Sequence, residues 1–178
     1  MKFRKSTKVG LALLLLFTSF FVWYLGTYSM AVATSFEVNS PSAPKHLLIV
    51  TQQSTHKDSL TAGIITAFTE RAVYIKVIDI TAAVAYQTER KIDACILMHT
   101  WEFWRPPGMV NDFKESLPED VPLFVISTSG SGEMLLDEEV DGISSASDTA
   151  DLEWEINTAV SWARLALGLV SNTITLEE

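Results

Sequence analysis

Three short polar stretches hold the residues with the most chemistry to offer. Residues 51–59 read TQQSTHKDS, a run of hydroxyls leading into an amphipathic segment. At a helix start the unpaired N–H groups and the helix dipole favour an anion such as phosphate, and Lys57 would add a cation. An ordinary polar loop with a helix cap accounts for the same residues, because the glycines that let a backbone approach phosphate are missing. Residues 100–108 read TWEFWRPPG. Trp101 and Trp104 there can stack on a planar ligand, or simply cover the edge of a core. Residues 128–133 read TSGSGE, a loop whose backbone N–H groups can meet a carbonyl-rich ring or an anion, although a Gly-Ser-Gly pattern has low specificity by itself.

Other chemistries find no support. The chain has no HExxH, CxxC or Walker pattern, and Ser129-Gly130-Ser131-Gly132 lacks the spacing of a nucleophile elbow. No catalytic residue and no metal site is assigned. The single cysteine, Cys95, excludes an internal disulfide and a cysteine-cluster metal site, and its apolar neighbours predict a buried, inert thiol. His99 follows an apolar run and reads either as a base near a ligand or as a hydrogen-bonded structural imidazole. The net charge is −9, and the first 34 residues hold four basic side chains and no acidic one, so the rest carries nine basic against 22 acidic. Such a surface does not fit nucleic acid or an anionic lipid headgroup, where Lys and Arg must neutralise phosphates. The surplus carboxylates, Asp112, Glu115, Asp137, Glu138, Glu139, Asp151 and Glu153 among them, read as a solvated face.

The elements that must position the three loops alternate along the chain. Residues 46–50 (HLLIV), 74–80 (YIKVIDI), 94–98 (ACILM) and 122–127 (PLFVIS) are apolar, β-rich runs too short for helices, as expected of strands covered on both faces. A short fifth strand is predicted at 140–144. Leu60, Ile64 and Phe68 recur at helical spacing behind Asp58 or Ser59 as N-cap. Residues 81–91 read as a weak helix or loop. Pro106-Pro107 opens a helix with Val110, Phe113 and Leu117 inward. A last helix over about 149–169 buries Ile156, Ala159, Val160, Ala163 and Leu167, with Asp148 as its cap. This alternation predicts a parallel sheet with helices on both faces and a ligand at the loops beyond the strand C-termini.

Ahead of this body, residues 9–30 read VGLALLLLFTSFFVWYLGTYSM with no charge, about the 20 residues a helix needs to cross a bilayer. Lys2, Arg4, Lys5 and Lys8 precede it, so residues 1–8 are expected in the cytoplasm and the body outside the cytoplasmic membrane. A cleaved signal peptide ending after Ala33 is the competing reading, disfavoured by the length of the apolar stretch. Residues 31–45 read as a linker and 171–178 as a tail.

The third strand with its aromatic loop and proline-led helix (IDACILMHTWEFWRPPGMVNDFKESL), followed by VPLFVISTSGSGE, resembles the flavodoxin family, and the likeness runs over about residues 46–167. It implies a five-stranded parallel sheet in the order 2-1-3-4-5, a domain over 46–170, and FMN across the strand ends. By that resemblance Ser54, Thr55, Lys57 and Ser59 would meet phosphate, and Thr100, Trp101, Trp104, Ser129 and Gly130 would surround the ring. His56-Lys57-Asp58-Ser59 stands where the family carries a Thr-Gly-Asn-Thr core, so a carboxylate replaces an amide there. Residues 141–147 (DGISSAS) also resemble the target of covalent flavin transferases, which would place an FMN phosphoester on Ser147; a Ser-rich strand end accounts for the same residues. Two functions follow: FMN-associated electron transfer with a membrane redox protein, or a cofactor-free binding or scaffold module for a membrane partner.

Overall fold

The computed structural model describes residues 5–28, 31–86, 91–102, 105–134 and 140–169. The chain divides into two units, residues 1–30 and 31–178.

The first unit is helix α1, Lys5–Tyr28. Its 24 residues at a rise of about 1.5 Å each span roughly 36 Å. Leu13, Leu16, Phe17, Phe20, Phe21 and Trp23 are all exposed. Among the described residues, the window Thr7–Tyr24 is long and apolar enough to cross a membrane. Thr18 Oγ1 donates to the Leu14 carbonyl at 2.8 Å, which satisfies its hydroxyl within the helix, as an apolar surrounding requires.

The second unit is an α/β sandwich. Strands β2 (Lys45–Thr51), β3 (Val73–Asp79), β4 (Ala94–Thr100), β5 (Leu123–Thr128) and β6 (Asp141–Ser145) are parallel. They lie in the order β3-β2-β4-β5-β6, the 2-1-3-4-5 arrangement expected. A right-handed crossover must return each strand to the same end, so every connection carries a helix or a long loop. Helices α2 (Thr55–Thr66) and α5 (Leu152–Ala166) cover one face over Leu47, Ile49, Ile75, Ile96, Met98 and Ile126. The other face carries α3 (Ile80–Tyr86) and α4 (Gly108–Ser116) over Leu48, Val50, Cys95, Leu97 and Val125. Cys95 is fully buried, and burial raises its thiol pKa far above the ordinary range. The expected core positions Leu60, Ile64, Phe68, Val110, Phe113, Leu117, Ala159, Val160, Ala163 and Leu167 are buried, whereas Ile156, expected with them, is half-buried.

Two details depart from expectation. Within residues 31–45, read as a linker, a sixth strand β1 (Phe36–Val38) pairs antiparallel with β3, Phe36 opposite Val77 and Val38 opposite Ile75. The Ala33 N–H donates to Asp79 Oδ2 at 2.6 Å and the Gln53 N–H to the Ala31 carbonyl at 3.0 Å. Asn39, at φ 65°, turns the chain out of β1 and donates to the Phe68 and Val73 carbonyls. The expected caps also shift. Ser54, not Asp58 or Ser59, caps α2, and Asp148 bonds the Ala150 N–H in the turn before α5 rather than the helix itself.

Candidate functional site

The parallel register brings the C-terminal ends of β2, β4, β5 and β6 to one rim of the sheet, so residues 51–57, 99–101, 127–132 and 145–147 converge although up to about ninety positions separate them. Thr100 pairs with Thr128 across β4 and β5. The Thr100 N–H donates to the buried Gln52 Oε1 at 2.8 Å, the Trp101 N–H to the Thr128 carbonyl at 2.8 Å, and the Ser129 N–H to the Ser145 carbonyl at 3.0 Å.

At the start of α2, Ser54 is in extended backbone (φ −158°, ψ 156°) and its Oγ accepts the Lys57 N–H at 3.2 Å. Thr55 is exposed as the first helical residue. Among the described residues nothing bonds the N–H groups of Thr55 and His56, two of the donors a helix start leaves open. Ser59 lies off this mouth, with its hydroxyl donating back to the Thr55 carbonyl at 2.9 Å. Lys57 is where expectation and structure part. Its side chain is 1% exposed and runs under the strand ends, where Nζ donates to Thr100 Oγ1. The bonds continue from Thr100 Oγ1 to Thr128 Oγ1 at 2.8 Å and from Thr128 Oγ1 to the His99 carbonyl at 3.1 Å. A hydroxyl has one proton, so the direction is fixed: ammonium to Thr100, Thr100 to Thr128, Thr128 to carbonyl. Burial lowers the Lys57 pKa to about 8, with Glu102 and then Asp58 pulling it back up.

Two further residues of this rim gave no pairing signal in the sequence. His56 Nε2 lies 2.8 Å from Glu155 Oε2, a carboxylate 1% exposed in the first turn of α5. Ser145 Oγ lies 3.5 Å from the same nitrogen and accepts the Ser147 N–H at 2.9 Å. A nucleophile–imidazole–acid relay needs the two ring nitrogens to serve different partners. Here both groups meet Nε2, so the constellation is structural. The separation of 99 positions between His56 and Glu155 hides it from any local pattern.

The ring side of the rim is less complete. Thr100, Trp101 and Ser129 are half-buried and Gly130 is exposed with open space around it. Ser129 Oγ accepts the Gly132 N–H at 3.0 Å, closing a tight turn in which Gly132 takes φ +71° with the Ala146 N only 2.8 Å from where a Cβ would sit. Below the rim, His99 Nε2 meets Ser127 Oγ at 2.9 Å and its Nδ1 is buried without a partner among the described residues. Burial lowers the His99 pKa to about 4, so the ring is neutral at neutral pH. The Trp101 Nε1 is likewise buried and unpartnered among the described residues. Trp104, the second stacking candidate, lies outside them, as do Asp137, Glu138 and Glu139. Ser147 is exposed in left-handed backbone (φ 60°) just past β6, while Ser145 before it is buried. No group of three or more candidate metal ligands occurs among the described residues.

No family model matches the chain, and no curated protein is significantly similar to it in sequence. Solved structures do resemble it. The flavodiiron core of a Synechocystis protein matches 73% of this chain with a TM-score of 0.53 at 10% identity. Rubredoxin oxygen:oxidoreductase from the anaerobe Desulfovibrio gigas matches 71% with 0.52 at 15%. In both, the chain spans little more than a third of the larger protein, 38% and 37%. An NADH:FMN oxidoreductase in its apo form matches 72% of this chain and 92% of its own, with a TM-score of 0.50 at 14% identity. At these identities the likeness speaks for fold. Together with the strand order it makes the fold flavodoxin-like.

Proposed function

We propose that this is a membrane-tethered flavodoxin-like domain that holds FMN at the C-terminal rim of its sheet and passes electrons outside the cytoplasmic membrane. The observation that carries the reading is the convergence at one rim of the Thr55 and His56 amides and the half-buried Trp101 indole N–H, all without a partner among the described residues, with the Ser129-Gly130 loop. Those groups fit an anion at one end of a ligand and a flat, carbonyl-bearing ring at the other. Ser54 and Thr55 with the α2 amides would hold the phosphate. Trp101 would stack on or border the ring, and the Ser129 and Gly130 backbone would meet its edge. Bound FMN supplies one- and two-electron transfer. The chain supplies orientation, exclusion of water, and a cation at Lys57 held beneath the strand ends.

The tether is α1, long and apolar enough to cross a membrane, and the basic residues before it favour an inside N-terminus. A cysteine placed at the exposed Ala150 (A150C) is then labelled by a membrane-impermeant maleimide in intact cells; labelling only after lysis would reverse the orientation.

For the cofactor, full-length protein in detergent micelles is titrated with FMN. Quenching of flavin fluorescence with half-saturation in the micromolar range is expected, and W101A weakens it at least tenfold. No quenching with 100 μM protein would sink the reading. A fluorescent band surviving a denaturing gel, and lost in S147A, would mark the phosphoester on Ser147 as the mode of attachment.

One arrangement favours the alternative of a cofactor-free module for a membrane partner. Ser54, Lys57 and Ser59, three of the four residues expected at phosphate, are engaged within the protein. Under that reading FMN does not bind, and W101A lowers co-purification of a membrane protein.

A further inference from the structure

A second concavity of the body lies beside the rim just described and shares Thr51 and Gln53 with it. A cleft of about 520 Å³ lies between α2 and the β1–β3 edge of the sheet, created by the strand that replaces the expected linker. That volume falls within the range of small-molecule sites. Its walls are mostly apolar: Ala33 and Phe36 from the β1 segment, Val77 from β3, and Ala62 and Ile65 from α2. Two features give it chemistry. Thr61 lines it, is 6% exposed, and carries a buried hydroxyl with no hydrogen-bond partner among the described residues. Leaving such a hydroxyl unpaired is costly, and an oxygen on a ligand would remove the cost. Among the described residues lining the cleft, the only charged side chain is Asp58, exposed in the first turn of α2. A carboxylate or phosphate head brought into these apolar walls would meet a like charge and no Lys or Arg.

We propose that this cleft binds a neutral lipophilic molecule bearing one hydrogen-bonding oxygen, with that oxygen on Thr61 Oγ1 and the hydrocarbon against Phe36, Ile65 and Val77. The cleft borders the 51–59 loop through Thr51, Gln53 and Asp58 but is not lined by Ser54, Thr55 or His56, the residues of the anion site, and it stands whether or not FMN binds there.

Three ten-carbon diazirine probes test it on full-length protein in nanodiscs: a primary alcohol, the matching carboxylate and the matching amine. After photolysis the labelled peptides are mapped by mass spectrometry. The alcohol is expected to label peptides containing residues 33–36 and 61–66 at least fivefold more than either charged probe. T61V, which keeps the shape and removes the hydroxyl, raises the alcohol concentration for half-maximal labelling about fivefold, the loss of one neutral hydrogen bond. A62F, at an exposed position of α2 that tolerates a larger side chain, fills the cleft and removes labelling there, while continued burial of Cys95 from thiol reagents verifies its fold. Equal labelling by all three probes, labelling led by the amine, full labelling of A62F, or labels confined to α1 would each overturn the proposal.

Discussion

The two sides of the sheet rim satisfy their polar groups to different degrees. On the α2 side, the Lys57 ammonium, the Thr100 and Thr128 hydroxyls and a backbone carbonyl form one directed chain, and His56 is held by Glu155. On the ring side, His99 Nδ1 and Trp101 Nε1 are buried without partners among the described residues. Buried polar groups are normally paired, so a ligand gains most from the buried open groups of the ring side, while the open Thr55 and His56 amides of the α2 side lie at an exposed helix start. The difference teaches that this rim is better prepared for a flat, hydrogen-bonding ring than for a phosphate, whose expected cation has been turned inward to support the strands.

The strongest way to break that contrast is to open the closed side. Glu155→Ala leaves His56 without its carboxylate and is expected to cost about 1–3 kcal/mol, read by chemical denaturation of the micelle-bound protein. A cost below about 1 kcal/mol would mean that the α2 side is not a tightly satisfied network. The buried ammonium gives a second handle. The Lys57 pKa falls from 10.5 to about 8 on folding, so between these values the unfolded chain binds more protons and stability rises with pH, by about 3 kcal/mol across the window. Below pH 8 the penalty is fully present. Lys57→Met should abolish that rise and be at least as stable as the wild type at pH 7; a rise that persists in the variant assigns it to another group.

Ligand selectivity sharpens the same contrast. If the phosphate end contributes only open amides and no free cation, riboflavin binds within about tenfold of FMN, a difference of about 1.4 kcal/mol. A preference for FMN above a hundredfold would restore the phosphate end to the leading role. The smallest effect belongs to the open side. Trp101→Phe deletes an N–H with no partner among the described residues, so stability changes by less than about 1 kcal/mol, while flavin affinity falls. A large loss of stability would show that the indole N–H is engaged after all.

Much of the architecture was legible because burial on both faces writes itself into sequence. Residues 46–50, 94–98 and 122–127 carry continuous apolar runs, and these are the central strands. β1 was hidden for a physical reason. It is three residues long, Phe36 is 41% exposed, and its hold on the body comes from Asp79 and backbone pairing with β3 rather than from a hydrophobic run. The inward turn of Lys57 did leave a trace, since it stands three positions before Leu60 and seven before Ile64, on the buried stripe of α2. Reading it as a phosphate ligand weighed its charge above its place in the helical period. The His56–Glu155 contact left no such trace.

Cys95 gives the molecule an internal clock. Its thiol sits at zero exposure on the central strand β4, with a raised pKa, and reagents react with thiolates. The native protein therefore offers no reactive sulfur, and each labelled or disulfide-linked molecule records one opening event deep enough to part β4 from its neighbours. In an oxidising compartment, the slow accumulation of covalent dimers would count the unfolding history of the population.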